Sequence, residues 1–184
     1  SRPRSPHLEP KSTLIKLPGI DLFSTFVFTD RLKIFFNKKN KSSDDWYEFI
    51  SALLGGFPEI KTFGNRLFNL FQDLSYDILI DNQSLSFGVL QVQNKLPVIE
   101  IVHHPITKDY EYDIQFSKGI IQKISKWRWF SFLKMQKKVA PLMKVISTPS
   151  INSMDDIVKD FNVSRNKIVV IPNGIDHIKF SPKK

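Results

Sequence analysis

No cysteine occurs among the 184 residues. That excludes a disulfide framework and any thiolate metal site, and it fits a reducing compartment. No uninterrupted apolar run approaches the ~18 residues of a membrane span. Residues 1–6 (SRPRSP) carry charge, but no apolar stretch of signal-peptide type follows them. Acid is also missing from one long interval. Between Ile114 and Met154 there is no Asp or Glu, yet the interval holds 8 of the 27 basic residues. The remaining 19 nearly balance the 18 acidic residues, so the net charge of +9 belongs to one segment. A local positive field points to an anionic partner at one face.

What is present is ordinary for a globular protein: 41% hydrophobic and 24% charged residues, in a length that suits one domain. Residues 1–11 are rich in Pro and Arg and read as irregular. Ser12 to Leu17 reads as a strand, and Phe26 to Phe28 as a second possibility before a short helix over Asp30 to Phe36. Ser42 or Ser43, ahead of Asp44 and Asp45, marks a helix start that should run to the stop at Gly55-Gly56. Ile60, Phe63, Leu67, Leu70, Phe71 and Leu74 form one stripe at helical spacing. Asp77 to Asp81 reads as a strand buried on both faces, Ser84 to Gln93 as a short helix, and Val98 to Val102 as a strand of mostly β-branched residues. Lys118 to Val139 is helical by pattern, with Ile121, Ile124, Phe132, Met135 and Val139 on one face. Arg128 falls on that apolar side, which implies a kink near Lys126 to Trp129. Lys144 to Ser147 reads as a strand and Thr148 as the cap of the next helix. The inner stripe of that helix is Ile151, Met154, Ile157, Val158 and Phe161. Lys167 to Ile171 is the last strand. Strands alternating with helices of this length imply βαβ units: an α/β, Rossmann-like parallel sheet flanked by helices over residues 12–172, with a linker beginning at 173.

In such a sheet, ligands bind at the carboxyl edge of the strands. His103 and His104 stand where the Val98–Val102 strand ends, with Pro105 holding His104 out of helical conformation. A neutral imidazole at a cleft edge can hydrogen-bond a hydroxyl or move a proton near neutral pH; the bland alternative is a histidine that caps a strand end. No third ligand has suitable spacing, so the pair does not read as a metal site. Asn82 and Gln83, at the next strand end, suit polyol recognition or a solvated turn. Lys123, Lys126, Lys134, Lys137 and Lys138 gather on one helix face with Phe130 among them. That face reads either as solvated or as a contact with an anionic membrane surface. Nucleic-acid binding is disfavoured, because no recognised motif accompanies the lysines.

Residues 144–150 (KVISTPS), 161–176 (FNVSRNKIVVIPNGID) and 180–182 (FSP) resemble, in content and order, the segment that closes the amino-terminal domain of glycosyltransferase family 4. Residues 76–85 (YDILIDNQSL) and 97–105 (PVIEIVHHP) agree with two further stretches of that family. The resemblance implies one half of a two-domain GT-B fold and a retaining transfer of a sugar from a nucleotide-diphosphate-sugar to a hydroxyl acceptor, a glycan or glycolipid. It implies no metal or other cofactor. It places His103 at the reaction centre, with Asn82, Gln83 and His104 nearer the acceptor. Family members that build glycolipids use a basic face, so the resemblance also implies a cytoplasmic protein, peripheral on the inner face of the membrane. Two family features have no counterpart: the first strand with its glycine-rich loop, and the second half that binds the donor. The expectation is therefore an acceptor-side domain, a fragment that is inactive without its C-terminal donor domain. The rival expectation is a non-catalytic Rossmann-like binding module.

Overall fold

Among the described residues, four short strands carry the architecture: β1 (Leu79–Asn82), β2 (Val98–Ile101), β3 (Ile146–Thr148) and β4 (Ile168–Val170). They form one sheet in the order β1-β2-β3-β4, parallel throughout. The computed structural model describes residues 12–17, 19–25, 27–71, 76–176 and 180. The irregular start expected over residues 1–11, Phe26 of the second expected strand and Leu74 of the stripe led by Ile60 lie outside that set. The helices are α1 (Phe28–Asn37), α2 (Ser43–Leu53), α3 (Glu59–Leu70), α4 (Phe87–Gln93), α5 (Thr107–Gln115), α6 (Ile120–Trp129), α7 (Leu133–Val139) and α8 (Ile151–Phe161). The class is the α/β, Rossmann-like one that the alternation implied.

Register decides which side chains share a face. Leu79 pairs with Val98, Asp81 with Glu100, Glu100 with Ile146, and Ile146 with Ile168. Side chains alternate along a strand, so these residues point to one side. There they meet Val89 and Val92 of α4, Met135 and Val139 of α7, Ile157 and Phe161 of α8, and Phe71 after α3 in a single core. The opposite side carries Ile80, Ile99, Ile101 and Val169. Ile80 is 59% exposed and Val169 49%. The expectation of a first strand buried on both faces is therefore corrected: β1 starts at Leu79, lies at the sheet edge and has one open face. Each crossover advances by one strand in the same direction, and right-handed crossovers of one direction return their helices to one side.

Four other expectations change. Ser12 to Leu17 is not a strand. An extended segment becomes one only by pairing, and among the described residues no ladder includes it. Thr148 is buried inside β3, and the cap of α8 is Ser150, whose hydroxyl accepts the Ser153 N–H. The expected kink is a 3-10 turn at Phe130–Phe132, between α6 and α7. It divides the proposed apolar stripe: Phe132, Met135 and Val139 are buried, whereas Ile121 and Ile124 are exposed. Ile151, placed on the inner stripe of α8, is exposed as well.

Two local devices fix the helical layer. Ser42, one of the two expected start residues, forms a capping box with Asp45 on α2, satisfying two backbone donors reciprocally. Asp45 also accepts from Lys38 at 2.6 Å and from Arg66 of α3 at 3.2 Å, while Glu48 accepts from Arg66 at 2.6 Å. α3 and α4 meet through Gly64 and Gly88. A Cβ on Gly88 would stand 1.9 Å from the Gly64 carbonyl oxygen, so only glycine permits this crossing.

Candidate functional site

The carboxyl ends of β1 and β2 build the polar edge. β1 ends at Asn82 and β2 delivers the chain to His103, and the two strands run in register from Leu79–Val98 to Asn82–Ile101. Parallel pairing thus brings the two polar ends to one rim. His103 Nε2 lies 2.9 Å from Asn82 Oδ1. The amide oxygen accepts, so in the neutral ring Nε2 carries the proton and Nδ1 keeps the lone pair. Both residues are exposed.

Gln83 ties the two strand ends together. Its Oε1 accepts the His103 backbone N–H at 3.1 Å, and its Nε2 donates to the His104 carbonyl at 2.9 Å. Both ends of this amide are therefore engaged with backbone, so Gln83 positions the histidine loop. His104 Nε2 stands 3.5 Å from Asp109 Oδ2 at the start of α5. Both side chains of that pair are more than half exposed, so solvent screens the attraction. The structure thus gathers Asn82, Gln83, His103 and His104 at one edge. The described residues include no group of three or more His, Cys, Asp or Glu that could hold a metal ion.

Beneath the edge lies a buried polar layer that the sequence reading did not single out. Gln83 and Leu85 have φ of 66° and 44°, in the left-handed region that non-glycine residues rarely occupy. Three buried side chains hold this turn. Asp81 Oδ2 accepts from the backbone N–H and the hydroxyl of Ser84, at 2.9 and 2.7 Å. Gln136 of α7 donates to the carbonyls of Gln83 and Ser84, at 3.2 and 3.3 Å. Glu100 of β2 accepts the Leu85 N–H at 3.3 Å. Burial, and then the Asp81 charge beside it, push the Glu100 carboxyl up to about 10, so it is protonated at neutral pH. A glutamate in the middle of the apolar run Val98 to Val102 was the available signal.

The five lysines do not form one flat face. Lys126 pairs with Asp113 at 2.7 Å. Lys134 stands 4.5 Å above the Trp127 ring, and it shares a cavity with Lys138. Lys123 and Lys137 are exposed. Phe130, expected among the lysines, is buried with Phe132 and Leu133. The 3-10 turn rotates α7 relative to α6, so residues that a continuous helix would align separate.

The family model described as "Glycosyltransferase Family 4" matches residues 31–179. A curated protein of Mycolicibacterium hassiacum, named MMP alpha-(1->4)-mannosyltransferase, is 34% identical over 180 residues. That alignment covers 96% of this chain and 43% of the relative, so the chain spans less than half the length of the relative it matches.

Proposed function

This chain belongs to glycosyltransferase family 4, and from that premise we propose that it is the acceptor-side half of a retaining enzyme. The reaction moves a mannosyl group from a nucleotide-diphosphate donor to a glycan hydroxyl. The choice of mannose follows the name of the Mycolicibacterium hassiacum relative.

The observation that carries this reading is the Asn82–His103 contact at the exposed ends of β1 and β2. Asn82 holds the imidazole through its protonated nitrogen. Nδ1 of the neutral ring is then the acceptor for a hydroxyl at the reaction centre. Asn82 and His104 flank the acceptor, and Gln83 sets the loop between them. Donor phosphates belong to the second half of the enzyme.

Mixing decides the matter. The chain is incubated with GDP-mannose and a short mannan, with and without a separately made donor-side half of a family member. Transfer in the mixture alone is the expected result. Turnover by the chain by itself would sink the half-enzyme reading.

A second observation favours a membrane-surface location. Phe116, Ile120 and Ile121, at the joint of α5 and α6, are 74%, 77% and 85% exposed, and Lys118 and Lys123 stand beside them in sequence. Apolar side chains flanked by lysine suit an anionic headgroup layer. The chain should pellet with vesicles containing phosphatidylserine and stay in solution with phosphatidylcholine alone; equal pelleting removes this reading.

A further inference from the structure

A cavity of about 270 Å³ opens between α2, α3 and α7. Its walls include Tyr47 and Ser51 of α2, Lys61 of α3, Ser131 of the 3-10 turn, and Lys134 and Lys138 of α7. None of its lining residues is Asp or Glu. Lys134 and Lys138 are four apart on one helix, so both point the same way. Lys61 comes from a different helix. Three lysines therefore line one space with no carboxylate among the lining residues.

Gathering like charges is unfavourable unless something offsets it. Here aromatic faces contribute. Lys61 Nζ lies 4.2 Å from the Tyr47 ring centroid, and Lys134 Nζ lies 4.5 Å from that of Trp127. A ring face attracts the cation without cancelling its charge. Lys38 and Lys126 differ, because each is matched by a carboxylate, Asp45 at 2.6 Å and Asp113 at 2.7 Å. The ring contacts leave the charges of Lys61 and Lys134 unneutralised and available to an anion.

The ligand class follows from charge and size. A phosphate monoester brings up to two negative charges and three acceptor oxygens, which suits three ammonium donors. Pockets for drug-sized ligands start near ~300 Å³. A phosphate with one small ring fits such a space. Phe57 and Phe132, with ring centroids 6.0 Å apart, supply the apolar lining that the ring's C–H face would meet.

We propose that this cavity binds a phosphate monoester on a small group, either a soluble sugar phosphate or the same group presented as a lipid head. Its lining includes none of Asn82, Gln83, His103 and His104, and the proposal rests on no step of the transfer reaction.

Calorimetric titration of the chain with glucose 6-phosphate and with glucose, at matched ionic strength, tests it. The phosphate compound should bind at least tenfold tighter. The variants K61Q and K134Q/K138Q should each weaken it by about tenfold or more, the factor that 1.4 kcal/mol represents, with unchanged circular dichroism. Equal affinity for the two sugars, or unchanged affinity in K134Q/K138Q, would overturn the proposal. Pelleting with phosphatidic acid vesicles separates the sources. Pelleting that glucose 6-phosphate competes away, and that K134Q/K138Q loses, assigns the lipid head. Glucose 6-phosphate binding without such competition assigns the soluble compound. Replacing Ile120 and Ile121 by Asp should remove the membrane contact at the α5–α6 joint and leave glucose 6-phosphate binding in the titration unchanged, so the two ideas fail independently.

Discussion

Asn82 Oδ1 and His103 Nε2 meet at 2.9 Å although 21 residues separate them in the chain. The parallel register of β1 and β2 makes the contact, and the contact fixes one tautomer of the ring. Nitrogen NMR of the histidine side chains should therefore show the Nε2–H form of His103 at high pH. Asn82→Leu should return that residue to a mixture of tautomers. An unchanged spectrum in the variant would mean that Asn82 does not orient the ring. In the reconstituted enzyme, His103→Ala should lower turnover by about 10²–10⁴-fold, the range for a positioned proton-transfer group.

Gln136 holds the turn from beneath. Its amide donates to two carbonyls of the Gln83–Ser84 segment. Gln136→Leu leaves those carbonyls short of a donor and should destabilise the chain by about 1–3 kcal/mol. Chemical denaturation measures that loss. The His103 tautomer signal should broaden at the same time, because the turn carries Gln83.

Two carboxyl groups set a falling stability with pH. Burial and the charges of Glu48 and Asp21 raise Glu59 to about 7, and burial and Asp81 raise Glu100 to about 10. A raised carboxyl keeps its proton in the folded chain after the unfolded chain has lost it. Stability is complete below about pH 4.5 and declines as pH rises towards the folded value. Above pH 7 the contribution of Glu59 is spent and that of Glu100 continues. Glu100→Gln keeps an acceptor for the Leu85 N–H and removes the titration. Between pH 7 and 9 the variant should gain on the parent by up to about 1.4 kcal/mol per pH unit. Parallel denaturation curves for the two proteins across that range would refute this account.

The Gly64–Gly88 crossing admits no side chain. Gly88→Ala places a methyl group against the Gly64 backbone and should cost about 3 kcal/mol, the upper end for overpacking. Thermal unfolding reads the effect. Gly174→Ala, where an added Cβ meets nothing within 4 Å, is the control and should unfold close to the parent.

Much of this architecture was legible in the chain. The β-branched run at Val98 to Val102 and the imidazoles after the strand describe local chemistry; the stripe led by Ile60 holds in part, with Ile60, Leu67 and Phe71 on the core and Phe63 41% exposed. Parallel alternation then required that strand ends share an edge, which is why His103 and Asn82 could be placed together. What was not legible depends on third parties. Nothing in the sequence around Asp81 shows that Glu100 lies beside it, or that Gln136 reaches two carbonyls more than fifty residues away. The lysine face was misread because periodicity assumes a continuous helix, and the turn at Phe130–Phe132 breaks that phase. The two-sided burial of β1 was misread for a similar reason. An apolar strand states its preference, but the direction of the crossovers decides which side the helices cover.

The bare side of the sheet has a practical corollary. Ile80 and Val169 present branched aliphatic groups to water, and Ile99 and Ile101 lie between them. Sheets laminate face to face at about 10 Å, so two copies of this chain can adhere through these surfaces. Its solution behaviour should depend on concentration: well dispersed when dilute, sticky when crowded, and rescued by Ile80→Thr with Val169→Thr.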